Sequence, residues 1–389
     1  MIIDADGHLF EGRDLWERYT PAAERDLALS VRDDSRGYPW ITLKGESIGR
    51  IAWVTVPGHF DYMGEVVSAW RQGLPYPGAS YDDLPLDYFD PKARLSSAEG
   101  WGVDEVVLYP QAGLLWDRFT GVDLQTARVN MAAWNRRAVE IAQDGGGRIH
   151  PVGHLTLDGD LAWALDQLRQ LAAGGVRLAM FAPLLVDGKR LSHPDHDRVW
   201  SAFCDLGMTA MWHTQSELRA LLDGAEGWTD NDQWSSVKVV TGMFQRVAPQ
   251  VALCDLAANG ILERFPKLKI TLAELGSEWV PSLLRRIDTQ YEIHSSLMGE
   301  PFHPGLTMRP SEYIVRQVKV ICSVLGDFDA RLIEQYPDMF VFGGDYPHPE
   351  GLNDTLRNYQ AYAGPLAPEL HDRFYGANAN SFIHASELV

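Results

Sequence analysis

Short runs rich in aliphatic and β-branched residues recur along the chain at 1–6, 103–110, 149–157, 176–183, 208–215, 268–276, 318–323 and 339–348. Most are separated by stretches whose apolar residues fall at helical spacing. Asp160 to Leu171 is one example, its Leu, Ala and Trp residues forming a single stripe with glycines just beyond it. Strands alternating with helices are βαβ units, and eight of them predict a closed parallel (β/α)8 barrel, an α/β fold of the TIM type. The competing open, doubly wound sheet lacks its usual signature, since no Gly-x-Gly-x-x-Gly follows a strand. The whole chain, 1–389, reads as one decorated barrel domain.

Residues 31–100 break the rhythm with Gly, Pro and aromatic side chains, among them Trp40, Trp53, His59, Tyr62, Trp70, Tyr81 and Tyr88. This stretch reads as an insertion after the first strand, on the face where barrel active sites lie. A second irregular stretch, 224–250, follows the fifth strand. Each is expected to be either a lid that excludes water or a packed extension or subunit interface.

Composition narrows the class. A hydrophobic fraction of 46% with 13 Trp, 14 Tyr and 14 Phe supplies a large core. The net charge of −19 and the lack of a Lys/Arg stripe argue against nucleic acid and anionic membrane surfaces as partners. No apolar run is long enough for a membrane span and the N-terminus has acids where a signal peptide has basic residues, so a soluble cytoplasmic protein is expected. Cys204, Cys254 and Cys322 are odd in number and show no Cys-x-x-Cys spacing, which suits reduced thiols.

Candidate chemistry gathers at the strand ends. In Asp4-Ala-Asp6-Gly-His8, strict alternation puts Asp4, Asp6 and His8 on one face, with the last two at the carboxyl end of the strand. An Asp-x-His alone is a weak signal, and a polar strand cap would explain it. Three further ends add to it: His213 after the fifth strand, Glu274 after the sixth, and Asp345-Tyr-Pro-His348 after the eighth. In a barrel these ends meet at a single mouth, where imidazole and carboxylate ligands from separate strands would make an open site for one divalent ion.

The first-strand Ile-Asp-x-Asp-x-His, the fifth-strand His and the eighth-strand Gly-Asp-Tyr-Pro-His resemble the amidohydrolase superfamily. The chain is most similar to its branch of aminocarboxymuconate-semialdehyde decarboxylase and related aromatic-acid decarboxylases. Pro194 to Gly207, Glu278-Trp-Val-Pro281 running to Asp288, and Pro310-Ser-Glu-Tyr313 carry the likeness along nearly the whole chain. It implies Asp6, His8, His213 and Asp345 as metal ligands, with Asp345 also handling a proton, and a homodimer. Two departures stand out. Asp6 occupies the place of a histidine in zinc decarboxylases of the branch, and an oxygen-richer sphere leans toward manganese while zinc stays open. Glu274 stands where many relatives have a histidine, and could act as general base, fifth ligand or anchor for His213. The superfamily's carboxylated lysine is missing from 176–183, which argues for a single ion.

Other polar residues carry competing readings. Substrate contacts are weighed at His348, on the mouth; at His59, against surface exposure; and at Arg177, against a salt bridge at the barrel base. His154 is weighed as a core histidine or a support of the site. Trp212 alternates outward and is read as packing. Two reactions suit such a site for a small-molecule substrate: nonoxidative decarboxylation of an aromatic or unsaturated acid, favoured by the resemblance and the aromatic insertion, and hydrolysis of a lactone, ester or amide. In these Asp345 is the leading catalytic residue, with Glu274 and His213 as helpers. A barrel that binds without catalysis is the third reading, opposed by the retention of all four ligand positions.

Overall fold

The computed structural model describes residues 1–50, 72–75, 81–113, 123–214, 246–299, 303, 305–322, 329–348, 354–364 and 366–384. Among them the strands are β1 (Ile3–Leu9), β2 (Leu29–Asp33), β3 (Pro39–Leu43), β4 (Glu46–Arg50), β5 (Glu105–Pro110), β6 (Ile149–His154), β7 (Leu178–Met180), β8 (Thr209–His213), β9 (Ile270–Ala273), β10 (Val318–Cys322) and β11 (Phe340–Phe342). Eight form one parallel sheet in the order β1-β5-β6-β7-β8-β9-β10-β11. It closes on itself through a parallel bridge between Gly7 and Tyr346. The His8 N–H donates to the Tyr346 carbonyl at 2.9 Å, and the Asp345 N–H donates to the Asp6 carbonyl at 2.6 Å. Seven of the eight barrel strands fall within one of the apolar runs and β1 extends three residues past its own, and the TIM-barrel expectation holds.

Burial on both faces explains why those runs are apolar at nearly every position. On β5, Val107 and Tyr109 join Ile3, Val152 and Met211 inside the barrel. Val106 and Leu108 point the other way, into a larger core shared with helices such as Leu124–Asp144 and Leu161–Ala173. The second layer packs tightly. The indole N–H of Trp134 donates to the Val152 carbonyl at 2.8 Å. A Cβ on Gly153 would lie 2.4 Å from Leu171 Cδ1, so only glycine admits that helix so close to β6.

Within the stretch that reads as an insertion, β2, β3 and β4 form a small antiparallel sheet. Leu29, Val31 and Ile41 pack with Phe10, Trp16 and Tyr88 in a third core. His59 and half of the other insertion aromatics lie outside the described residues, as does nearly all of 224–250. At the opposite end of the barrel, the helix Asn378–Ile383 closes the base, its Ala379, Phe382 and Ile383 joining the inner core. No helix among the described residues is long and apolar enough to cross a membrane.

Strict alternation fails on β1. Ile3 and Ala5 belong to the inner layer, and the ladder to β5 shifts register between Asp4 and Gly7. Asp4 therefore braces β1 against the segment after β11, its Oδ1 accepting from the N–H of Gly344 at 2.7 Å and of Asp6 at 3.1 Å. The irregularity re-aims the residues beyond it, as bulges beside active sites do.

Candidate metal centre

Asp6 and His8 from β1, His213 from the end of β8, Glu274 just past β9, and Asp345 and His348 past β11 converge at the carboxyl end of the barrel. His8 Nε2 lies 3.4 Å from Asp6 Oδ1 and 3.3 Å from Asp345 Oδ1. His213 Nε2 lies 3.5 Å from Asp6 Oδ1 and 3.8 Å from Glu274 Oε2. One potential ligand atom from each of Asp6, His8 and His213 falls within 4.8 Å of the others, and the same holds for His8, Glu274, Asp345 and His348. Asp6, His8, His213 and Asp345 are fully buried.

Local backbone sets these directions. Glu274 and Asp345 take positive φ values of 52° and 57°, in the left-handed region that side chains with a Cβ seldom occupy. Such strain costs on the order of 1–3 kcal/mol and persists where surrounding contacts over-determine it. For Asp345 those contacts are its own N–H bond to Asp6, the His348 N–H donating to its carbonyl at 2.9 Å, and the buried Arg94. Arg94 Nη1 donates to the Tyr346 carbonyl at 2.9 Å, and its guanidinium lies 4.5 Å from the Tyr346 ring centroid. Gly343 also has to be glycine, because a Cβ there would sit 2.4 Å from Ile321 Cγ2 and 2.8 Å from the Asp6 Cβ.

The electrostatics suit a cation. Burial, reinforced by His348 and His213, pushes His8 well below the usual imidazole range, so its ring is neutral and able to ligate. Burial would lower His213 too, but Asp6 and Glu274 outweigh it and raise His213 to about 9. Glu274 is held down at about 2 against its burial, chiefly by His348 and His213. Among the described residues the ion pairs of Asp6 and Glu274 are all with histidines. Both carboxylate oxygens of Asp6 and the Nε2 of His8 are buried without a well-formed hydrogen bond. A divalent ion would satisfy these atoms and take the place of the proton on His213, so the donor set fits the group that the motifs imply.

Two neighbours escape a reading of the sequence. Gln111 Oε1 sits 2.7 Å from His348 Nε2, while His348 Nδ1 lies 2.7 Å from Asp345 Oδ1 and 3.4 Å from Glu274 Oε1. Tyr109 stacks on His8 with ring centroids 5.6 Å apart and lies 4.7 Å from the His213 ring. Its hydroxyl is buried, and burial together with Asp6 and Glu274 keeps it firmly protonated. The signal for both was alternation along β5, where Val107 faces inward and Tyr109 and Gln111 follow at steps of two.

Arg177 does not reach the mouth. It precedes β7 at the base of the barrel, where Nη1 donates to the carbonyls of Ala172 at 2.8 Å and Val176 at 3.3 Å, so a substrate contact is ruled out by its place on the strand. His154 is buried with both ring nitrogens lacking a hydrogen-bond partner among the described residues, and burial lowers it to about 3. Trp212 packs in the outer core, near Phe181.

The chain matches the Amidohydrolase family over residues 3–383. It is similar in structure to an amidohydrolase from Mycobacterium avium subsp. paratuberculosis K-10, with a TM-score of 0.77 at 19% identity, covering 98% of each chain. It is also similar to 5-carboxyvanillate decarboxylase from Novosphingobium aromaticivorans, complexed with manganese and 4-hydroxy-3-methoxy-5-nitrobenzoic acid. There the TM-score is 0.64 at 16% identity, covering 99% of this chain and 96% of that one. For 2,6-dihydroxybenzoate decarboxylase from Rhizobium the TM-score is 0.61 at 16% identity, covering 99% of each. No curated protein matches the sequence. With a family match over almost its full length and the strand-end residues gathered at the mouth of a TIM barrel, the chain belongs to the amidohydrolase family and is an enzyme of that superfamily.

Proposed function

We propose that the protein is a metal-dependent nonoxidative decarboxylase of an aromatic or unsaturated carboxylic acid. The observation that carries this reading is the buried convergence of Asp6, His8, His213 and Asp345 beside a His348 shared between two carboxylates. The likeness to two aromatic-acid decarboxylases, one of them holding manganese, supports the reaction class.

Asp6, His8, His213 and Asp345 would hold one divalent ion, manganese or zinc. When bound, the ion supplies a Lewis-acid anchor for the substrate carboxylate and a neighbouring oxygen, and a sink for developing negative charge. The residues around it manage the proton. His348 Nδ1 lies 2.7 Å from Asp345 Oδ1, close enough to pass a proton to it, Gln111 fixes the far side of the ring, and Glu274 Oε1 lies 3.4 Å from the same nitrogen. That proton is added to the substrate carbon bearing the carboxylate. The carbon–carboxylate bond then breaks, its electron pair returns to the unsaturated system, and carbon dioxide leaves. Tyr109 packs against the rings of His8 and His213 and so helps fix the directions of both.

The test is turnover of a panel of hydroxylated benzoic acids and unsaturated acids by the manganese- or zinc-loaded enzyme, with carbon dioxide release as the readout. Asp345→Asn should lower the rate about 10²–10⁴-fold, the range for loss of a proton-transfer group, with its circular dichroism unchanged. Consumption of lactones, esters or amides without carbon dioxide release would replace this reading with hydrolysis. Full activity of Asp345→Asn would remove the role given to that carboxyl.

A further inference from the structure

A second cluster of metal-binding side chains lies at the other end of the barrel. Glu105 opens β5 and His150 is the second residue of β6, so by strand alternation both belong to the inner face, below Val107 and Val152. His384 follows the helix that closes the base. His150 Nε2 lies 2.7 Å and His384 Nε2 3.1 Å from the same atom, Glu105 Oε2. The two imidazole rings are nearly perpendicular, at 89°, with centroids 5.1 Å apart, so they approach that oxygen from different directions.

We propose that Glu105, His150 and His384 form a second divalent-cation site, of the zinc type, that clasps the C-terminal helix to the base of the barrel. Two imidazole nitrogens and one carboxylate oxygen make a zinc donor set, and a tetrahedral ion with bonds of about 2.0–2.1 Å needs ligand atoms roughly 3.3 Å apart. The His150–Glu105 separation is about 0.6 Å short of that and the His384–Glu105 separation about 0.2 Å. Binding would spread the ligands and re-aim the two imidazoles from the Glu105 oxygen toward the ion. The side chains are 10%, 12% and 21% exposed, which shields the ligands while leaving an open edge for entry and for a water in the fourth position.

The surroundings indicate what the ion would do. On the far side of the base, Thr209 Oγ1 donates to the Phe382 carbonyl at 2.9 Å and Lys269 Nζ donates to the Ser381 carbonyl. Asn378 Nδ2 reaches the carbonyls of Pro337 and Phe340, each at 2.8 Å. These bonds tie the helix to β8, to the start of β9 and to β11. The Glu105 cluster fastens it to β5 and β6, completing the ring of attachments. The site is thus a structural clasp, separate from the mouth and independent of the reaction proposed there.

Cobalt titration of the chelator-treated full-length protein tests this, read by visible absorption and by equilibrium dialysis. Parent protein should take up two equivalents per chain, and His150→Gln, His384→Gln and Glu105→Gln one each, with turnover at the mouth retained. The double variant Asp6→Asn, His8→Gln, intact at the base, should still bind one equivalent with a tetrahedral cobalt spectrum. Zinc should raise the melting temperature of that double variant, and the rise should vanish when His150→Gln is added. Failure of the double variant to bind cobalt, or base variants that bind as many equivalents as the parent, would overturn the clasp. A parent that binds a single equivalent lost on His150→Gln would instead sustain the clasp and refute the metal centre at the mouth.

Discussion

Glu11 offers a test of how the mouth is supported. It lies just past β1, wholly buried, with Oε2 accepting from the Ala112 N–H and Oε1 from the Gly113 N–H, each at 2.9 Å. It thereby pins the turn that follows Gln111, the partner of His348. Burial outweighs these bonds and raises Glu11 from 4.5 to about 7. Because the folded value lies above the unfolded one, the folded state binds the proton more tightly. Stability from this group is therefore present below about pH 4.5 and lost as the pH rises through about 7. The shift of about 2.5 units at 1.36 kcal/mol each amounts to roughly 3 kcal/mol between acid and alkaline limits. Glu11→Gln removes the titration but sets an amide N–H against one backbone N–H, a fixed cost that does not vary with pH. Denaturant unfolding of parent and variant at pH 5 and pH 8 isolates the titrating part. The stability of the variant relative to the parent should improve by about 2.5 kcal/mol on going from pH 5 to pH 8, the part of the full change that lies within this window. A difference between the two proteins that stays constant from pH 5 to pH 8 would refute the reasoning, whatever its absolute size.

Two substitutions probe the site more directly. Gln111→Leu removes the acceptor at His348 Nε2 in buried surroundings, and should lower turnover about 10–100-fold while leaving bound metal, measured by elemental analysis, at the parent level. Gly343→Ala would press a methyl group into Ile321 and the Cβ of Asp6. It should cost about 1–3 kcal/mol of stability by overpacking and also weaken metal binding at the mouth, so unchanged metal affinity would show that Asp6 can move without penalty.

Much of this architecture was legible in the sequence because barrel strands buried on both faces announce themselves as apolar runs, and because barrel topology brings their carboxyl ends together. Asp6, His8, His213, Glu274 and Asp345 could be assigned to strand ends from that rule alone. For Asp4 a structural hydrogen bond was the better reading and it is there, but its face could not be placed, since a register shift inside β1 is invisible to a strict period of two. Arg177 was weighed as a substrate contact against a place at the barrel base, and the base is where it lies, bonded to backbone carbonyls instead of a carboxylate. Gln111 and Tyr109 required knowing which face of β5 turns inward. The sheet β2-β3-β4 was missed in a stretch dominated by Gly, Pro and aromatics, although Leu29, Val31, Ile41 and Leu43 keep the alternation of half-buried strands. The Glu105, His150 and His384 cluster joins residues far apart along the chain, and no local pattern marks such a meeting.

The bond from the Asp345 amide to the Asp6 carbonyl has a consequence for how this enzyme comes into being. Asp6 and Asp345, far apart along the polypeptide, are brought together only when the final barrel strand docks on the first, a contact with a large loop-closure cost. On the proposed reading, a nascent chain still lacking that strand would hold Asp6, His8 and His213 but not Asp345, the fourth ligand and the proton carrier. Were the proposed ion bound there, its acquisition would report that folding is complete, and an unfinished or nicked barrel would stay inert instead of acting on its substrate out of turn.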